Sequence, residues 1–177
     1  MRWIGAAAIF LLMAVIGHLA ILNAIPSRIM SAAQARMADR GVGMYQWVAA
    51  TRMTPETQTI VRPSPDLAYA ICRFDVSDGP VLLTAPSAET YGSLSIFDSK
   101  TNNVFIARLD GAETFASVVV SGPGASAESF KGVPDGAQTI TMTGKGLALI
   151  RRLAPDQATH DVAAGLVDEA RCEQVVD

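Results

Sequence analysis

Residues 3–25 contain no Asp, Glu, Lys or Arg, and that run limits what the chain can fold into more than any other feature. At about 1.5 Å per residue it is about 34 Å long, enough to cross the hydrocarbon core of a bilayer. A helix is the expected form, because in lipid it satisfies its own backbone groups. Arg2 and Trp3 suit one interface, and Pro26-Ser27-Arg28 the other. A cleavable signal peptide is the competing reading, with Ser31-Ala32-Ala33 as a small-residue cleavage site. The apolar region of such peptides is usually about 7–15 residues, so a retained anchor over residues 1–26 is the reading adopted. His18 and Asn23 are polar positions inside the span, and Ala20 and Ala24 form a small-xxx-small pair. These four are candidates for a contact with another membrane helix. Haem ligation by His18 is set aside, since no second ligand is in view. Ser27 is expected to cap a second helix with Ile29, Ala33 and Met37 at four-residue spacing, ended by Gly41 and Gly43. Residues 27–43 thus read as an interfacial or stalk helix.

The charge is uneven. The formal total is −3, yet residues 1–40 hold Arg2, Arg28, Arg36 and Arg40 against Asp39 alone. The remainder holds ten basic and sixteen acidic residues, with no basic stripe for a polyanion. Nucleic acid is therefore not an expected partner. The expected partners are the bilayer and other membrane-protein subunits.

Beyond Gly43 short apolar runs alternate with turn residues. Strands are expected at 57–62, 67–75, 80–85, 91–97, 104–109, 115–121, 139–142 and 147–153. Asp78-Gly79-Pro80, Asp110-Gly111 and Pro134-Asp135-Gly136 are among the turns between them. In 91–97, Leu94 and Ile96 take one face, and Tyr91, Ser93, Ser95 and Phe97 the other. One helix is expected over 155–171, with Val162, Leu166 and Ala170 as its apolar stripe. The fold class is mainly β: a sandwich-like domain over residues 44–177 with a C-terminal helix, behind one transmembrane helix.

Several strings in this portion, taken together, resemble a known family. Val61-Arg62-Pro63-Ser64-Pro65-Asp66-Leu67-Ala68-Tyr69 is similar to the opening motif of the domain-of-unknown-function family 1254. Asp78-Gly79-Pro80-Val81, the segment from Tyr91 to Asp98, Asn102-Asn103-Val104-Phe105, Ser121-Gly122-Pro123-Gly124, Val133-Pro134-Asp135-Gly136 and residues 149–153 follow in the family's order. The resemblance covers about residues 57–170. It implies a bacterial, exported or membrane-anchored, β-sandwich-like protein and no assigned activity. Thr90 stands where the family commonly has arginine, and the second domain that many members carry has no room in this chain.

No nucleophile elbow, zinc-binding histidine pair, Walker loop or dinucleotide fingerprint is present. Asp98, Lys100 and Asn102 imitate the start of a calcium loop, but Lys100 and Leu109 stand where oxygen ligands are needed. No metal or cofactor is expected. The best polar cluster is Arg62, Asp66, Tyr69 and Tyr91, which could hold a small anionic or sugar-like ligand. The plainer reading has Asp66 capping a turn, Arg62 pairing with it, and the tyrosines in the core. His160 beside Asp161 reads as an exposed helix position. Two function classes follow. One is a non-catalytic anchored domain that docks onto or helps assemble a membrane complex. The other is a small-molecule binder or hydrolase-like protein using the Arg62–Tyr91 region.

Cys72 falls within a strand and Cys172 in a charged tail, where a lone thiol would be a liability. A bridge between them would close a loop of about 100 residues and stabilise the fold by up to about 4.7 kcal/mol. It would place the domain outside a reducing cytosol, in the periplasm beside the inner membrane. Arg28, Arg36 and Arg40 after the span pull the other way, though the charge difference is small.

Overall fold

The computed structural model describes residues 2–54, 63–111, 114–124 and 132–175. Its first element is a single helix, α1 (Arg2–Asp39), which passes through Pro26 without a break. Anchor and stalk are therefore one rod, and Ser27 does not cap a second helix. Pro26 has no N–H to give the turn behind it. The Ser27 hydroxyl instead donates back to Ala24 O at 3.0 Å, a bond that a continuous helix accommodates. The rod ends at Gly41, whose φ of +85° lets Val42 N and Gly41 N return to the carbonyls of Met37 and Ala38. That 6→1 and 5→2 pairing satisfies carbonyls that would otherwise be orphaned. The apolar part of α1 is long enough to cross a membrane, and none of it is buried on this chain.

Among the described residues nine strands follow in two sheets: β1 (Trp47–Ala49), β2 (Leu67–Asp75), β3 (Val81–Pro86), β4 (Gly92–Phe97), β5 (Asn103–Arg108), β6 (Phe115–Ser121), β7 (Gln138–Thr141), β8 (Lys145–Leu153) and β9 (Cys172–Gln174). The larger sheet has the order β1-β2-β8-β4-β5, with every pair antiparallel. The smaller has the order β7-β6-β3-β9, with β6 and β7 parallel. The sheets enclose a core that includes Phe74, Leu83, Leu94, Ile96, Val118, Val120 and Ile150. In β4 the expected alternation holds, with Leu94 and Ile96 inward. A register shift after Ile96 then ends the regular ladder at Phe97.

The expected strand over 57–62 lies outside the described residues. Two strands of three residues, β1 and β9, were not foreseen. The C-terminal helix is shorter than expected: α2 (Gln157–Gly165) passes into a 3-10 turn, Leu166–Glu169. Its buried side is also different from the expected stripe. His160, Ala163 and Val167 face inward, while Val162 is exposed. The surface under α2 is built of Ala68 and Ala154, which Ala163 meets at close range.

Cys72 and Cys172 form a disulfide, Cα atoms 6.5 Å apart, that ties β2 of one sheet to β9 of the other. Beside it, Trp47 pairs with Cys72 in register and donates its indole N–H to Arg171 O at 2.9 Å.

Candidate functional site

Two of the buried polar side chains left partly unpartnered among the described residues, Arg152 and His160, lie under α2. The helix begins at Asp156, whose carboxylate accepts from Thr159 N at 2.8 Å, while Thr159 Oγ1 closes the capping box from the other side. These hydrogen bonds from the Thr159 backbone and hydroxyl hold the Asp156 carboxyl below the usual carboxylate range.

On β8 the residues facing the core run Gly146, Ala148, Ile150, Arg152, so an arginine occupies the fourth apolar position. The register explains how it fits. Arg152 pairs with Ala68 on β2 and with Gly92 on β4, so neither neighbour has bulk to exclude it. A Cβ at Gly92 would stand 3.1 Å from Arg152 Nη1 and 2.9 Å from Leu109 Cβ. Arg152 is only 3% exposed. Its Nη2 donates to Pro86 O, while Nε and Nη1 have no partner among the described residues. Burial pushes the guanidinium pKa down, and the Glu169 carboxylate opposes that.

His160, 6% exposed, faces inward from α2, which corrects its reading as an exposed position. Its Nδ1 is 3.9 Å from Asp161 Oδ1 and has no hydrogen-bond partner among the described residues. Between Arg152 and His160 lies a cavity of about 10 Å³, walled by Ala68, Ala70, Ile150 and Ala163. That is about the space one water needs. On its other side Arg152 borders a groove of about 250 Å³ with Thr90, Leu153, Thr159, Val162 and Leu166.

The residues singled out from the sequence are placed as follows. Arg62 lies outside the described residues. Asp66 is exposed, and its main-chain carbonyl accepts from Ala154 N at 2.8 Å. The Tyr69 hydroxyl accepts from Ser64 N at 2.9 Å, which closes the turn into β2. The Tyr91 hydroxyl is 3.4 Å from Ser93 Oγ. Arg151 pairs with Tyr69 on β2 and with Ser93 on β4, so it stands between those strands, with Nη2 donating to Ser95 Oγ at 3.2 Å. His18, Ala20, Asn23 and Ala24 are all exposed along α1. Asp98 holds a turn. It accepts from Lys100 N at 2.8 Å, Asn102 N at 2.9 Å and Asn102 Nδ2 at 2.7 Å. No three His, Cys, Asp or Glu side chains meet as a metal site among the described residues. Arg152 itself was missed from the sequence. Its signal was the period of two along β8, which puts it on the face of Ile150.

A family model described as a protein of unknown function, DUF1254, matches residues 45–174. That is well over half of the chain. The chain belongs to the DUF1254 family. The matched DUF1254 region takes in every strand from β1 to β9 together with α2, and leaves α1 outside. No curated protein matches the chain in sequence. Among solved structures, the VPA0106 protein from Vibrio parahaemolyticus is similar at TM-score 0.60 and 12% identity, over 84% of this chain and 35% of that one. An uncharacterised protein from Burkholderia cenocepacia matches at TM-score 0.40 and 12% identity, over 65% of this chain and 31% of that one. The chain thus spans about a third of each of these two structures. The Vibrio structure shares the DUF1254 fold, and the likeness shows no more than that.

Proposed function

We propose that this chain is a membrane-anchored accessory protein without catalytic activity. Helix α1 crosses the inner membrane once, and the DUF1254 domain stands in the periplasm, where it docks onto or helps assemble a membrane-protein complex. The observation that carries this reading is the unbroken course of α1 into contact with the domain. Met30 and Gln34 are buried, Gln34 Nε2 reaches Gly146 O at 3.5 Å, and Arg73 Nη1 donates to Val42 O at 2.7 Å. A domain gripped in this way sits at a fixed height and orientation above the bilayer. Cleavage after Ala33 would remove Met30 from that contact, so the packing supports a retained anchor. The Cys72–Cys172 bridge supports an oxidising compartment.

The surface that suits a partner is the β5 edge of the larger sheet. Among the described residues β5 is hydrogen-bonded to β4 only, and Ile106 is 64% exposed beside exposed Val104 and Phe115. An apolar edge strand of this kind is a ready place for another chain to add. A small-molecule reading centred on Arg62, Asp66, Tyr69 and Tyr91 is weaker, because the Tyr69 hydroxyl and Arg151 Nη2 are already engaged within the sheet.

The test is purification of the full-length protein from its own membranes in mild detergent. It should resist carbonate extraction, be digested by protease added to spheroplasts, and co-purify with a stoichiometric membrane subunit that Ile106→Asp releases. A protein that washes off, is protected, or keeps its partner in the Ile106→Asp variant would refute the anchor, the orientation or the docking surface respectively.

A further inference from the structure

Beside the buried Met30 and Gln34, a groove of about 330 Å³ opens where α1 meets the larger sheet. Ser31 and Ala35 line it from the helix, Arg73 from β2, Lys145 from the start of β8, and Ser99 from the turn between β4 and β5. The lining carries two cations and no acidic side chain among the described residues. That runs against the composition, since the chain beyond residue 40 holds ten basic and sixteen acidic residues. Lys145 is exposed and Arg73 half-buried. Arg73 gives Nη1 to Val42 O at 2.7 Å. Neither cation is in an ion pair among the described residues. Two carboxylates adjoin them in the chain and are engaged. Asp75, opposite Lys145 in register, accepts from Ser77 N at 2.9 Å. Asp98, next to Ser99, accepts from Lys100 N at 2.8 Å.

Position along α1 points to the ligand's source. The charge-free run ends at Ile25 and Ser31 lies six residues further, about 9 Å along a helix. The headgroup layer extends about 5–8 Å beyond each face of the hydrocarbon core. The Ser31 end of the groove therefore stands at the outer edge of that layer when Ile25 marks the end of the core. We propose that this groove binds the headgroup of an anionic phospholipid, its phosphodiester paired with the Lys145 ammonium and held in the field of Arg73. Charge favours an anionic lipid over a zwitterionic one, whose ammonium would meet the same two cations. Tethering favours a lipid over free phosphate, because the anchor keeps the groove at a high local concentration of headgroups. The inference rests on the anchoring reading, since it takes α1 to lie in the bilayer, and it requires no partner protein.

The test loads the full-length chain, in mild detergent, with equal phosphatidylglycerol and phosphatidylcholine, and counts the retained lipid by native mass spectrometry. Phosphatidylglycerol should be retained about fivefold over phosphatidylcholine, the discrimination that one cation near a membrane surface supplies. Lys145→Gln removes an exposed charge, so the fold should stand while the preference falls to near parity. Arg108→Gln removes an exposed cation from the α2 end of the larger sheet and should leave the preference unchanged. Carbonate extraction reads the anchor separately, and wild type and both variants should stay in the pellet. A chain that stays in the pellet but retains the two lipids equally overturns the proposal, as does a folded Lys145→Gln variant with the full preference. An equal loss in Arg108→Gln would mean general charge attraction and no site. Displacement of phosphatidylglycerol by an equal concentration of inorganic phosphate would refute the lipid assignment. A chain that washes out of the membrane refutes the anchoring reading, and the lipid site falls with it.

Discussion

Strands β2 and β8 lie side by side for nine residue pairs, and their two ends are filled in opposite ways. At the α1 end, Phe74 pairs with Gly146, and the ring lies over the glycine so closely that a Cβ there would collide with it. At the α2 end the sizes are reversed: Arg152 pairs with Ala68. In each case a large inward side chain lies beside a residue with almost none, so both pairs fill space in the same geometrical way. Chemically they differ. Phe74 is an apolar group in an apolar core beside the disulfide, with α1 secured to Gly146 O from outside. Arg152 is a cation whose donors the described residues leave partly open. One end holds the domain together and holds it to its helix, whereas the other buries a cation among small residues and pairs it only in part.

That contrast makes opposite demands on substitution. Phe74→Ala should cost about 3–5 kcal/mol, measured by urea unfolding of the full-length protein, because a fully buried ring leaves a cavity that flanking strands cannot close. The same variant should also loosen α1, since Gly146 presents the carbonyl that Gln34 meets. Arg152→Met should change stability by no more than about 1 kcal/mol in either direction. It exchanges a partly unsatisfied buried charge for an apolar chain of similar length, a replacement that is often neutral or stabilising. If Arg152→Met proves as damaging as Phe74→Ala, the two ends are alike and Arg152 is a structural tie through Pro86.

The sequence showed the two strands far better than it showed the contrast between their ends. β2 was legible from Leu67 to Asp75 because a proline-rich turn opens it and Asp78-Gly79-Pro80 follows it. β6 was equally plain. The apolar part of α1 was legible from charge alone, although Pro26 gave a false boundary that helix packing overrides. β1 and β9 were not legible: at three residues each they carry no period, and they exist because the edges of β2 and β3 offer partners. The face of α2 was misassigned for a related reason. Hydrophobicity marked Val162 as inward, but the sheet beneath presents alanines, and only small Ala163 can approach it. Val162 was thereby left to the groove and His160 turned in. Arg152 could be placed on the core face by alternation. That Ala68 and Gly92 flank it depends on cross-strand register, which a single sequence does not disclose.

The smallest effect separates the two ends by pH. The α1 end is held by a disulfide and apolar packing, neither of which titrates, whereas α2 is held at its start by the Asp156 carboxylate. Hydrogen bonds from the Thr159 backbone and hydroxyl depress the folded-state pKa of Asp156 below its unfolded value. A depressed carboxyl contributes stability that is present above the unfolded pKa and is lost as pH falls through the folded one. The cap should therefore weaken below about pH 4, near the ordinary carboxylate range. Asparagine caps a helix about as well as aspartate and does not titrate in this window. Hydrogen exchange of the α2 amides, compared at matched pH, should show wild type losing protection on acidification while Asp156→Asn keeps it. The β2–β8 amides around Phe74 should behave alike in both proteins. Equal loss of α2 protection in wild type and Asp156→Asn would mean that α2 is held by Ala163 and Val167 against the sheet, with the cap incidental. The α2 end would then resist acid by packing, as the α1 end does.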